Sequence, residues 1–148
     1  MPRALTKAER EQFLAELHVG VVTLADGERG PLACPVWYTY SSGGVVAFCT
    51  KKDARKAKVL RIAARVSFLV QVEGDIGKGV LPKYVAIEGP VVKLETADID
   101  RDLRPIMHRY LGAEIGDGYL EATRGDSAEG ELVVHIQPER WRSRDFGG

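Results

Sequence analysis

A mainly β fold, a six-stranded antiparallel barrel with flanking helices, is what the sequence predicts, and three observations carry it. Six β-rich runs punctuate the chain from Val19 onward. Turn-forming residues separate the early runs at hairpin spacing. A Gly89-Pro90 pair interrupts the longest run, where proline cannot donate to a ladder and a bulge or bend would let the sheet curl. At 148 residues the chain is expected to form one domain, residues 1–148, around one core.

The elements follow in order. Thr6-Lys-Ala-Glu9 reads as a capping box, and Phe13, Leu14 and Leu17 give the opening helix an apolar stripe that ends near His18. The β runs are Val19 to Ala25, Leu32 to Tyr40, Val45 to Thr50, Arg65 to Glu73, Lys83 to Glu95 and Glu131 to Gln137. Asp26-Gly27, Arg29-Gly30-Pro31, Ser41 to Gly44, and Gly74 to Pro82 supply the turns. Between the third and fourth runs Asp53 is placed to cap a helix with Ala57, Leu60 and Ala64 on one side and Arg55, Lys58, Arg61 and Arg65 on the other. A helical region from Ala97 to Leu111 is expected to break or kink at Pro105. Ala113 to Gly130, Gly-rich and acidic, reads as irregular.

Composition excludes several classes. With 45% hydrophobic and 28% charged residues the chain has the balance of a globular protein and not of a disordered one. No apolar run approaches the roughly 20 residues that span a bilayer, so no membrane insertion is expected. Met1 to Glu11 lacks the apolar stretch of a secretory signal, and a cytoplasmic location is expected. With Ser41 opposite Gly44, Cys49 would face Val36 and lie diagonal to Cys34, so two buried free thiols are predicted.

Charge is uneven. The chain has 21 basic and 21 acidic residues, yet Lys51, Lys52, Arg55, Lys56, Lys58, Arg61 and Arg65 face only Asp53 within their stretch. One cationic sector on a neutral protein suits a compact polyanion, whereas nucleic acid normally meets a broad basic face. No nucleic-acid partner is expected, and the sector has no interleaved aromatics for stacking. Gly74-Asp-Ile-Gly77-Lys78-Gly79 lacks the spacer and hydroxyl of a phosphate loop, and Gly112, Gly116 and Gly118 fail the dinucleotide pattern. His18, His108 and His135 have no metal-ligand spacing, so no metal is expected. No nucleophile motif is present, and the catalytic residues are left unassigned.

Thr50 to Lys58 stands out because a strand ending in threonine leads through a short loop into a helix start loaded with cations. Free amides there and the Arg55 guanidinium would together grip a phosphate. The alternative is a solvated basic helix face.

In Thr50 and Ala54-Arg55-Lys56 the chain resembles the flavin-binding split β-barrel family typified by pyridoxamine 5′-phosphate oxidase. There a strand-ending threonine is followed by a Ser-Arg-Lys triplet that holds the flavin phosphate, and Ala54 stands in place of the serine. Ala64 to Val70 and Val85 to Gly89 resemble the family's next two strands. The likeness covers roughly residues 6 to 95, with a weaker echo in Val133 to Phe146. The segment that reads the pyridoxal ring is not recognisable in Leu120 to Gly148, so pyridoxamine phosphate is not the expected substrate. Pro35-Val-Trp-Tyr38, the extra lysines and Pro138 to Phe146 look more like the deazaflavin-dependent branch, whose members use coenzyme F420.

That resemblance implies a split β-barrel homodimer with the cofactor in a groove between subunits. It implies an F420-dependent oxidoreductase that passes hydride from the reduced deazaflavin to an unsaturated small-molecule substrate. The implied cofactor-binding residues are Val36, Trp37, Thr50, Lys51, Lys52, Arg55, Lys56, Gln71 and Trp141, with Lys51, Lys52 and Lys58 matching the coenzyme's long anionic tail. Either Trp37 or Tyr38 would face the ring, and the substrate's proton would come from Tyr38 or water. The alternatives are an FMN-dependent enzyme of the pyridoxamine 5′-phosphate oxidase type and a non-catalytic flavin- or tetrapyrrole-binding protein.

Overall fold

The structure is a computed structural model that describes residues 1–124 and 130–148. Helix α1 (Lys7–Ala15) starts on the predicted capping box. Thr6 Oγ1 accepts from the Glu9 amide at 3.3 Å, and the Glu9 carboxylate accepts from the Thr6 amide at 2.8 Å. The Arg3 guanidinium grips the same carboxylate at 2.7 and 2.9 Å. Arg3 first, and then the Thr6 amide, hold that carboxyl down at about 2. A carboxyl lowered on folding stabilises above its ordinary value of 4.5, and that support fades as the pH falls toward about 2. Thr6→Ala is expected to cost about 1 kcal/mol, read as an earlier urea midpoint with an unchanged slope. The helix stops sooner than predicted because Glu16 turns to extended backbone. Leu17, expected on the buried stripe, is therefore 60% exposed.

Among the described residues eight strands follow in place of the predicted six: β1 (Gly20–Asp26), β2 (Arg29–Val36), β3 (Tyr38–Thr39), β4 (Val46–Lys51), β5 (Arg65–Val72), β6 (Lys83–Thr96), β7 (Glu131–Ile136) and β8 (Arg140–Asp145). All pairings between strands are antiparallel. The sheet order is β2-β1-β5-β6-β7-β4-β3, with β8 also on β6. The predicted second run splits because Trp37 leaves the ladder between β2 and β3. The sheet is thus curled, and its two end strands are joined through that one residue. Pro31 and Pro35 both lie in β2, an end strand, where a missing donor costs least.

The predicted bend is real. β6 pairs with β8 as far as Glu88 and with β5 as far as Pro90, and from Val91 it pairs with β7, with a register shift between Val91 and Lys93. Gly89 sits at this transfer so close to the next strand connection that a Cβ would lie 1.8 Å from the Gln137 carbonyl oxygen. Curling encloses a core of Val22, Leu24, Tyr38, Phe48, Phe68, Val70, Val85 and Ile136. Tyr38 donates its hydroxyl to the Leu14 carbonyl at 2.6 Å, which ties α1 to the barrel.

Helix α2 (Arg55–Leu60) closes one end of the barrel by burying Ala57, Val59 and Leu60. Two expectations for it are corrected. The capping position is Ala54, which makes no side-chain bond, rather than Asp53, and Ala64 is exposed beyond the helix's end. A π-helical turn (Ile99–Leu103) runs into α3 (Arg104–Leu111), with Pro105 in the first turn of α3 at the predicted break. Helix α4 (Ala113–Ala122) replaces the predicted irregular stretch, the rest of which partly lies outside the described residues. Its Gly116 passes so near α3 that a Cβ would sit 3.0 Å from Met107 backbone. There glycine serves close helix packing. Leu103, Leu120, Ala97 and Val133 form a second, smaller cluster beneath these helices, with Cys49 packed against it.

The cysteine register also differs by one residue. Tyr38 pairs with Phe48 and Thr39 with Ala47, so Cys49 stands level with Trp37 and faces the outer cluster, while Cys34 packs on the inner core. Both thiols are free, though half-buried and not fully buried as predicted, and the barrel wall lies between them. Among the described residues no helix is long and apolar enough to cross a membrane.

Candidate functional site

Strand β4 alternates inward Val46, Phe48 and Thr50 with outward Ala47, Cys49 and Lys51. Thr50, only 3% exposed, closes the barrel wall at the point where the chain turns toward α2. The Ala54 amide donates to the Lys51 carbonyl at 3.1 Å, so the loop folds back on itself and presents Arg55 and Lys56 at once. As the first residues of a helix they have amides without an intrahelical acceptor, and Ala54 offers no side chain to cap them.

The cations of this sector are not equivalent. Arg55 is ion-paired with Asp26 at the end of β1, Lys51 lies 3.6 Å from Glu131, and Arg65 lies 2.7 Å from Glu139. Lys52, Lys58 and Arg61 have no ion pair among the described residues. Burial pushes the Glu131 carboxyl above its ordinary value, against the pull of Lys51 and Lys56. Asp26 and Glu131 belong to the site's electrostatics and were not singled out from sequence. Each is an acid at a strand end, brought to the patch by the curl of the sheet.

The other predicted positions divide. Val36 points into the core at 7% exposure, which leaves only its backbone for a ligand, whereas Trp37 is 38% exposed on the outer surface. Trp37 lies flat on Tyr110 of α3, with ring centroids 4.8 Å apart and planes 2° from parallel. Tyr110 is fixed in turn by its hydroxyl, which donates to the His18 carbonyl at 2.5 Å and accepts from the Tyr38 amide at 3.1 Å. Of the aromatic pair Trp37 and Tyr38, Tyr38 belongs to the core, and its burial raises its hydroxyl's pKa.

Gln71 is exposed on β5. Continuing the register of β1 with β2 by one residue and with β5 by two places Val19, 52% exposed, between Trp37 and Gln71. Val19 had no functional reading from sequence. At strand spacings of about 4.8 Å this forms an outward row of apolar and amide groups next to the row that ends on Lys51. Trp141 lies elsewhere. It pairs with Ile87, packs edge-on to Tyr40 at 6.2 Å and sits 4.8 Å under the Arg10 guanidinium. Within one chain it does not join the patch around Thr50. Cys49 is held near 12 chiefly by burial, so it offers no thiolate.

The arrangement combines a cationic, amide-rich corner at Thr50 to Lys56 with an apolar shelf at Val19 and Trp37. That pairing suits a planar ring carrying an anionic arm.

A family model described as pyridoxamine 5′-phosphate oxidase matches residues 6–145. Solved structures share the fold at low identity. A conserved hypothetical protein of Mycobacterium tuberculosis, Rv2991, is 22% identical with a TM-score of 0.76, over 95% of this chain and 85% of that one. A FAD-binding protein of Mesorhizobium loti is 19% identical with a TM-score of 0.65, over 97% and 96% of the two chains. A protein described as an F420 reductase is 16% identical with a TM-score of 0.59, over 88% and 94%. No curated protein matches the chain.

Proposed function

The chain belongs to the pyridoxamine 5′-phosphate oxidase family, and from that premise we propose that it is a homodimeric oxidoreductase that uses coenzyme F420 to reduce an unsaturated small molecule. One observation carries the reading. Uncapped amides and unpaired cations at the entry of α2 follow Lys51, which stands one outward position beyond Cys49, the residue level with Trp37 in the row of Val19 and Gln71. An anionic arm fits the first feature and a planar ring the second.

Lys56 and the amides of Arg55 and Lys56 would hold the phosphate. Arg55 would share its guanidinium between the phosphate and Asp26, since five donors leave room for both. Lys52, Lys58 and Arg61 are left for further carboxylates of a longer tail. When bound, the reduced coenzyme supplies a hydride from its ring carbon. The protein's part is to place two flat rings face to face and exclude water. Trp37 does the placing, held rigid by Tyr110. Tyr38 is buried and spends its hydroxyl on Leu14, so the proton is assigned to water.

Dimerisation would cover the outer face of β2, β1, β5, β6 and β8. That face presents Ala33, Pro35, Val21, Leu69 and Ala86 in register, and it would bring C-terminal residues toward the partner's site. The protein is expected to bind F420 more tightly than FMN, and reduced F420 is expected to be oxidised by at least one of a panel of quinones, enones and tetrapyrroles. Mass spectrometry of the extracted cofactor and side-by-side titrations check the first expectation. Equal or reversed affinity sinks the deazaflavin assignment in favour of FMN. Tight binding without turnover favours storage over catalysis.

A further inference from the structure

A cleft of 660 Å³ lies away from the cationic patch. It lies on the outer face of β3, β4, β7 and β6, where the π-helical turn and α3 overhang the sheet. Register explains the opening. The row Cys49–Val133–Glu95 carries the outer helices, and two residues along each strand the row Thr39–Ala47–His135–Lys93 is left uncovered. The Trp37–Tyr110 stack stands level with the covered row, so the helices separate this cleft from the patch at Lys51.

Its chemistry is amphipathic. Val45, Ala47 and Val133 give an apolar floor, and Pro105 closes one side. Charge gathers at the rim, where Arg101 holds Asp102 at 2.8 Å and Glu95 at 3.5 Å, and Lys93 lies 3.2 Å from Glu95. Arg109 donates from one Nη to the carbonyls of Ala15 and Glu16, and its buried Nε has no hydrogen-bond partner among the described residues. Asp98, whose Oδ1 accepts from the Arg101 amide, adds a third acid, so the rim's three cations meet three acids, while at His135 Lys93 acts more strongly than either Asp102 or Glu95. Half-buried between them, His135 is held in its neutral form by burial and by Lys93, so it can donate one hydrogen bond without adding charge. A donor corner led by Lys93 over an apolar floor, with the rim's other charges balanced, matches a monoanion better than a phosphate dianion.

We propose that this cleft is a second ligand site, for a small amphipathic carboxylate whose apolar body lies on Val45 and Ala47 while Lys93, Arg101 and His135 hold the carboxylate. It is independent of the cofactor reading, because no residue of Thr50 to Lys58 lines it.

Benzoate is the probe, titrated into the full chain labelled at its three histidines, with benzamide as the neutral isostere. The His135 ring signal is expected to move saturably with benzoate and not with benzamide, while the His18 and His108 signals stay in place. In the Lys93→Gln, Arg101→Gln double variant benzoate should bind at least about tenfold more weakly. Unmoved His18 and His108 signals there report an intact fold, and the single Lys93→Gln variant serves if the double variant misfolds. The Arg55→Ala, Lys56→Ala variant should bind benzoate as the parent does, so the two sites fail separately. No saturable shift up to about 10 mM, an equal response to benzamide, or unchanged binding in the Lys93 variants would overturn the site. A cleft sealed between two copies of the chain would show as the first of these.

Discussion

Replacing Arg55 and Lys56 together by alanine is expected to leave a folded chain whose affinity for the coenzyme falls by at least about a hundredfold, since each lost charged hydrogen bond is worth about 1.5–3 kcal/mol. The fold should survive because α2 is anchored by Ala57, Val59 and Leu60, and neither replaced side chain belongs to that anchor. Arg55 does lose its pair with Asp26, but an exposed pair contributes at most about 1 kcal/mol. Fluorimetric or calorimetric titration against circular dichroism separates binding from folding. Affinity that stays at the parent's level rejects the phosphate assignment.

The second large effect is on stability. Gly89→Ala should destabilise the barrel by about 3 kcal/mol or more, at the upper end of overpacking, because its Cβ would meet backbone and not a side chain that can swing away. The closest atoms are the Gln137 carbonyl oxygen at 1.8 Å and its carbon at 2.9 Å. Two ladder bonds flank the contact, Gln137 N to Pro90 O and Glu139 N to Glu88 O, each 3.0 Å long. Relief would require β6 to separate from the connection between β7 and β8. A urea midpoint close to the parent's would show that the bend tolerates a side chain.

Features encoded by neighbouring residues are legible in the sequence itself. The capping box, the Gly89-Pro90 bend and the cationic run from Lys51 were all read from local sequence. What escaped depended on contacts between distant segments. Strand β8 hid because Arg140, Arg142 and Arg144 put charge on one face, leaving Trp141 as the single large apolar side chain of the alternation. Helix α4 hid behind Gly116 and Gly118, which read as breakers until α3 supplies the surface that requires a glycine. Asp26 and Tyr110 entered the site through the curl of the sheet and the overhang of α3, and no local pattern marks either. Trp37 was legible as an aromatic at a strand position, but its partner was not.

The chain has two indoles, and each is held in a distinctive setting, Trp37 flat against the Tyr110 phenol and Trp141 beneath the Arg10 guanidinium. Tryptophan emission therefore supplies an intrinsic optical gauge with two separable channels. Replacing either indole by phenylalanine would assign quenching by a bound chromophore to the shelf around Trp37 or to the C-terminal strand.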